Sequence, residues 1–342
     1  MVTRQELLEK LQVAAELELA TIPPYLTALY SLKQEANRAA AETIRSVVVE
    51  EMLHLTVVGN VMSSIGGGVS LGQNAVPVYP VTLNFNGVPF EDRRFAVDLA
   101  AFSPASLETF LSIEEPSTLR LIPFRTELDI PEPTVGDFYM SIIADLESLN
   151  AIDPAALFIG DPTRQIGPDY YWSSGGELLP VHDLESAKAA LLQVIGQGEG
   201  AWVPGDGGEA GFGEPFEVGH YYRFKELSHG RRYLPSDDPA GLPTGDLIGV
   251  DFTQVWPIMT NGRQADYIVG SAAAQLNAAF NESYTRLLIQ VEEALTGTPK
   301  SLYPAILEGM HNLSITAAEL VSTPVEGDKA GRTACPSFEW RQ

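Results

Sequence analysis

The chain has 342 residues, 45% of them hydrophobic and 19% charged, a balance that builds a folded core and excludes a disordered chain. Its 45 acidic and 21 basic side chains leave a formal charge of −24, a field that argues against nucleic acid or an anionic membrane surface as partner. No apolar run reaches the roughly eighteen residues of a membrane span, the amino terminus lacks a secretory pattern, and the lone Cys335 can form neither an internal disulfide nor a thiolate cage, so a cytoplasmic protein is expected.

In chain order, residues 3–31 form the first expected helix, with Leu7, Leu11, Ala14, Ala15, Glu18, Ile22 and Tyr25 on one face. Glu18 thus falls inside an apolar stripe, whereas Glu16 lies on a mixed face and is the weaker candidate. Pro23-Pro24 either ends this helix or kinks it beside Glu18. The second helix, about 36–65, aligns Val47, Val48, Glu51, His54, Leu55, Val58 and Met62 and stops at Gly66-Gly67-Gly68. Glu50 is also near His54, but Glu51 has the more apolar setting.

From 69 to 184 the pattern becomes rich in proline and β-like alternation, with Asn86-Gly87 as a hairpin turn. This is read as an elaborated crossover with a small sheet and one helix, Val135 to Leu149, started by Thr134. A further helix runs from Leu184 to Glu199 and ends in Gly196–Gly200, and another carries Phe216, Glu217, His220, Tyr221, Phe224 and Leu227 on one face. Residues 265–296 and 303–322 are expected to form an antiparallel helical pair packed on the rest, and the tail from Thr333 is extended. The whole chain, 1–342, is read as one elaborated domain.

Two Glu-x-x-His tetrapeptides, Glu51 to His54 and Glu217 to His220, stand out. On a helix, positions i and i+3 lie about 5–6 Å apart on one face and can serve one metal. Two such pairs plus inward glutamates from two further helices make the ligand set of di-metal bundle proteins, and Glu18 and Glu199 are candidates for the remaining two. Carboxylates buried among valines and leucines need a compensating charge, which a pair of cations supplies. Oxygen and imidazole donors suit iron or manganese rather than calcium. Each of these residues has a plain alternative; Glu217, for example, sits in the first turn of its expected helix, where an acid can simply favour the helix dipole. Tyr25 is either core packing or a hydroxyl donor or redox-active phenol beside the site. Asp137 is a reserve ligand, and His182, His229 and His311 are read as surface or core histidines.

The segments Glu16-Leu-Glu18-Leu-Ala-Thr-Ile-Pro-Pro-Tyr25, Glu50-Glu51-Met-Leu-His54, Gln197-Gly-Glu199-Gly and His220-Tyr-Tyr-Arg-Phe224 resemble the ferritin-like domain family also called the iminophenyl-pyruvate dimer synthase domain, found in violacein and indolocarbazole biosynthesis enzymes. The resemblance spans roughly residues 5 to 230. It implies a mainly α, ferritin-like four-helix bundle with a long β-containing crossover insertion and two additional C-terminal helices. It also implies Glu18, Glu51, His54, Glu199, Glu217 and His220 as metal ligands. Ordinary ferritins separate the lone glutamate from the second Glu-x-x-His by more than the eighteen residues between Glu199 and Glu217, and Asp137 stands as the alternative there.

The expectation is a non-haem di-metal oxidase or oxygenase holding two iron ions, with manganese or a mixed pair as alternatives, and with Glu51 and Glu199 bridging. Its partners would be dioxygen and a small molecule, such as an amino-acid-derived imine; a homo-oligomer is compatible with these features. The competing expectation is a ferritin-like binding or scaffolding module without redox activity, and iron storage ranks last because the long crossover would obstruct cage packing.

Overall fold

The computed structural model describes residues 2–85, 88–89, 96–116, 134–170, 176–200 and 218–341. Helix α1 (Arg4–Ser31) opens on a reciprocal cap: Thr3 Oγ1 accepts the Glu6 N–H at 3.2 Å, and Glu6 Oε2 accepts the Thr3 N–H at 2.7 Å. It continues through Pro23-Pro24 rather than ending there. Pro24 has no N–H to offer the Ala20 carbonyl one turn back. The Tyr79 hydroxyl donates to that carbonyl instead, at 2.8 Å. Tyr79→Phe is therefore expected to lower stability by about 1–3 kcal/mol, the cost of a buried acceptor left unmade. A thermal melt that does not move would show the carbonyl is satisfied otherwise.

Helix α2 (Arg38–Ser64) runs antiparallel to α1, since Arg4 reaches the Ile65 carbonyl, Glu18 lies by His54, and Thr21 meets Glu51. Its expected glycine stop is realised by a left-handed Gly66 at φ 77°, with N–H bonds from Gly67 to Met62 O and from Gly66 to Ser63 O. Strands β1 (Val81–Thr82) and β4 (Ala96–Val97) pair antiparallel, as do β2 (Asn84–Phe85) and β3 (Val88–Pro89). The inner pair flanks Asn86-Gly87 as a two-residue hairpin requires, although those two residues lie outside the described ones.

Helix α3 (Pro104–Ile113), absent from the sequence expectation, starts at a Ser103 cap with proline in its first turn. Helix α4 (Val135–Asn150) begins at Thr134 as expected. A single turn, α5 (Pro154–Leu157), leads into a segment fastened to the end of α2 by the Gly160 N–H to Ser64 O and by Asn60, whose amide pairs with both backbone groups of Ile166 at 2.9 Å. Helix α6 (Leu184–Ile195) passes into a wide π-helical turn, Gly196–Gly200. Helices α1, α2, α6 and α4 pack each on the next to close a four-helix ring, and α3 packs on α7 (His220–His229) beside it.

The expected C-terminal pair is present as α8 (Ala272–Leu295) and the run α9 (Leu302–Pro304), a wide turn Ala305–Met310, and α10 (His311–Ser322). It forms a further layer against α1 and α2. The tail returns through the core, where Phe338 wedges edge-on between Phe280 and Tyr284. One apolar core is continuous from Leu7 to Phe338. Mainly α and built on a helical bundle, the architecture agrees with the expected fold class. No helix among the described residues is long and apolar enough to cross a membrane.

Candidate metal centre

The long apolar stripes of α1 and α2 place Glu18, Glu51 and His54 face to face, each at most 3% exposed. The end of α3 brings in Glu114, 5% exposed, and the first residue of α7 brings in His220, fully buried. Ligand atoms of Glu18, Glu51 and His54 all lie within 4.8 Å of one another, as do those of Glu51, Glu114 and His220. Glu51 belongs to both groups and stands between them.

The orientation of each side chain follows from a hydroxyl donor. Tyr139 on α4 donates to Glu18 Oε1, Thr21 donates to Glu51 Oε2 at 2.6 Å, and Tyr25 donates to Glu114 Oε1 at 2.5 Å. The second oxygen of each carboxylate turns inward: Glu18 Oε2 is 3.4 Å from His54 Nδ1, Glu51 Oε1 is 2.9 Å from His220 Nδ1, and Glu114 Oε2 is 3.6 Å from that same nitrogen. Burial above all, and then the carboxylates they touch, hold the Tyr25 and Tyr139 phenols protonated, so both remain donors.

Both imidazoles are anchored by Nε2. His54 Nε2 is 3.1 Å from Gln197 Oε1, and His220 Nε2 is 2.8 Å from Glu50 Oε2. Because a carboxylate can only accept, the His220 Nε2 carries the proton, and in the neutral ring the Nδ1 lone pair faces the cavity. Glu50 in turn takes a two-pronged contact from Arg223, at 2.8 and 3.2 Å, while Arg223 Nε holds the Val218 carbonyl at 2.7 Å. Burial would raise the Glu50 pKa, but Arg223 and His220 reverse the effect and hold it at about 2.

Glu18, Glu51 and Glu114 face no such arginine. Burial raises the Glu18 carboxyl to about 7 despite its bond from Tyr139. Burial also opposes protonation of both histidines. At His54 it prevails and the pKa falls; at His220 the facing Glu114, Glu50 and Glu51 outweigh it and the pKa stands well above the usual imidazole range. Although Glu51 Oε1 is close, His220 Nδ1 has no aligned hydrogen-bond partner among the described residues, an orphaned buried polar atom. A cavity of about 20 Å³ lies among Glu18, Thr21, Glu51, His54, Glu114 and Tyr139, room for one small ion or water. The inward oxygens of three carboxylates and the two Nδ1 atoms are donors that suit transition-metal ions, and the group is compatible with a di-metal site.

Of the six residues expected as ligands, Glu18, Glu51, His54 and His220 converge here. Glu217 lies outside the described residues, and α7 starts at His220. Glu199 belongs to the Gly196–Gly200 turn, and its side chain is likewise outside what is described. The reserve ligand Asp137 is exposed and accepts the Thr134 N–H at 3.0 Å as a helix cap, away from the cluster. Glu16 accepts from Gln12 on its own helix. Sequence reasoning missed Glu114 and the anchoring pair Glu50 and Arg223. The start signal Ser103-Pro104 with Leu107 and Phe110 at helical spacing could have revealed α3, though not that Glu114 turns inward.

A helical bundle whose interior gathers carboxylates and imidazoles from several helices is the arrangement of the di-metal carboxylate proteins. The ferritin-like family pattern matches residues 11–229, and the chain belongs to that family. It is similar to dichlorochromopyrrolate synthase of Lentzea aerocolonigenes, 24% identical over 98% of this chain, and spans 36% of that protein's length. Among solved structures it is similar to a ferritin-like protein from Caulobacter vibrioides, with a TM-score of 0.62, 20% identity and 98% of each chain covered.

Proposed function

We propose that this chain is a non-haem di-metal oxidase or oxygenase that acts on a small organic substrate, of the kind formed when an amino acid is oxidised to its imine, with two iron ions as cofactor and manganese as the alternative metal. The observation that carries the reading is the division of labour within each buried carboxylate: one oxygen is held by a neutral hydroxyl and the other is turned, with no lysine or arginine beside it, toward an imidazole in a shared space. The similarity to a synthase of specialised metabolism supports the substrate class.

Glu18, Glu51 and His54 would hold one ion and Glu51, Glu114 and His220 the other; when bound, such a pair supplies the redox chemistry for reducing dioxygen. The chain's own contribution is positional. Tyr139, Thr21 and Tyr25 fix the carboxylate rotamers, and Gln197 and Glu50 fix the imidazole tautomers. The proton held on Glu18 near pH 7, and the one the facing carboxylates keep on His220, must leave before cations can bind, so uptake is favoured as pH rises.

Elemental analysis of protein produced in iron-rich medium tests the reading directly, with about two ions per chain expected. Dioxygen consumption should then depend on an imine generated from an aromatic amino acid. Absence of bound metal overturns the proposal, and bound metal without dioxygen consumption leaves a binding module. Glu114→Ala should lower the content to about one ion, because only the His220 position loses a direct ligand. Unchanged content would remove Glu114 from the ligand set.

A further inference from the structure

We propose that the apolar cavity on the opposite side of the α1–α2 pair from the carboxylate cluster binds an elongated amphipathic carboxylate whose apolar body carries one hydrogen-bonding oxygen. The cavity has a volume of about 1120 Å³ and is walled by α1, α2, α8 and the run from Leu302 to Val321. That is above the 300–1,000 Å³ common for sites that enclose drug-sized molecules. None of the residues of the candidate metal centre lines it, so this inference goes beyond the proposed oxidase and stands apart from it.

The α1 wall of the cavity extends from Leu19 to Tyr30, about 17 Å at the helical rise, so the cavity accepts an elongated ligand.

Polar groups interrupt the apolar lining at two places. Inside, Tyr284 is 3% exposed, and its hydroxyl has no hydrogen-bond partner among the described residues. Burial pushes its pKa upward, so it stays protonated and can donate to an oxygen on a ligand. At the solvent side stand Lys33 and Arg45, neither of which forms an ion pair with any described residue; the Lys33 ammonium lies 5.0 Å over the Trp256 ring. Glu35 also lines the rim, leaving cations in a majority of two to one there. In a chain with 45 acids and 21 bases, two cations without a carboxylate partner among the described residues at the mouth of an apolar cavity favour an anionic head, and a guanidinium matches a carboxylate geometrically.

The test is calorimetric titration of the full chain with saturated acids from decanoate to hexadecanoate, their ω-hydroxy forms, dodecanol and dodecyltrimethylammonium. Carboxylates are expected to bind more tightly than the ammonium, with the ω-hydroxy form preferred about 2–10-fold at some chain length, one hydrogen bond's worth. Tyr284→Phe should abolish that preference while the plain acid still binds. Reversing both rim charges with Lys33→Glu and Arg45→Glu should weaken carboxylates at least tenfold and leave dodecanol unchanged. Because Arg45 is exposed and Lys33 is half-buried at the rim, circular dichroism should be unaltered, and bound-metal content should be the same with or without probe. Failure of every probe, equal binding of the ammonium, or no hydroxyl preference at any length overturns the inference. Closure of the cavity by self-association, seen by sedimentation, also overturns it.

Discussion

Glu51→Ala is expected to abolish binding at both cation positions, where Glu114→Ala abolishes one. Glu51 is common to the two ligand groups, with Oε1 2.9 Å from His220 Nδ1 and 3.9 Å from His54 Nδ1. Loss of a partner one shell further out commonly lowers metal affinity about 10–100-fold. Removing a direct ligand shared by two ions should exceed that at each position, and purified protein should contain close to no metal. The substitution deletes a buried carboxylate from a cluster that already crowds like charges, so the metal-free chain should fold, which far-UV circular dichroism checks. Wild-type metal content in folded Glu51→Ala would refute the shared-ligand arrangement.

Arg223→Met should destabilise the fold by about 3–5 kcal/mol, because Glu50 would be left as a buried charge without its cation. The two side chains are only 8% and 1% exposed, so solvent screens them little. A fall of roughly 4–7 °C in Tm is expected for a chain of this length. The Val218 carbonyl also loses its donor, loosening the approach to His220. Adding Glu50→Gln should recover part of the loss, since a neutral amide no longer carries the uncompensated charge. The sign with pH follows from the depressed Glu50 pKa. In the wild type its contribution is present above the unfolded value of about 4.5 and disappears as pH falls through about 2. In Arg223→Met the carboxyl can take a proton and become neutral, so the difference between variant and wild type should shrink on acidification. A Tm unchanged at neutral pH would show the pair is dispensable.

Helices long enough to carry a stripe were legible in the sequence: α1 and α2 placed Glu18, Glu51 and His54 because six apolar residues on the first and five on the second share their faces. What was not legible depends on contacts between distant segments. Glu114 sits just past the end of a ten-residue helix in a proline-rich region, and only the packing of α3 on α7 turns it toward His220. Glu50 looked inferior to Glu51 by its immediate neighbours, yet Arg223, which makes it the anchor of His220, is 173 positions away. Of the second Glu-x-x-His, His220 opens α7 and Glu217 lies outside the described residues. Asp137 shows the converse, since the Thr134-x-x-Asp137 pattern signals a cap as readily as an inward face. The Pro23-Pro24 ambiguity was resolved by Tyr79, which no local pattern associates with Ala20.

The two imidazoles are backed by dissimilar groups, and this makes the berths they serve unequal. His54 leans on an uncharged amide, whereas His220 leans on an ionised carboxylate that is itself neutralised by a guanidinium. A ring supported by a full negative charge is the stronger electron donor. In the proposed centre, once His220 has given up its proton, an ion beside Glu114 would be held more tightly than one beside Glu18. The two positions would then fill at different metal concentrations, so a half-occupied form should exist between them.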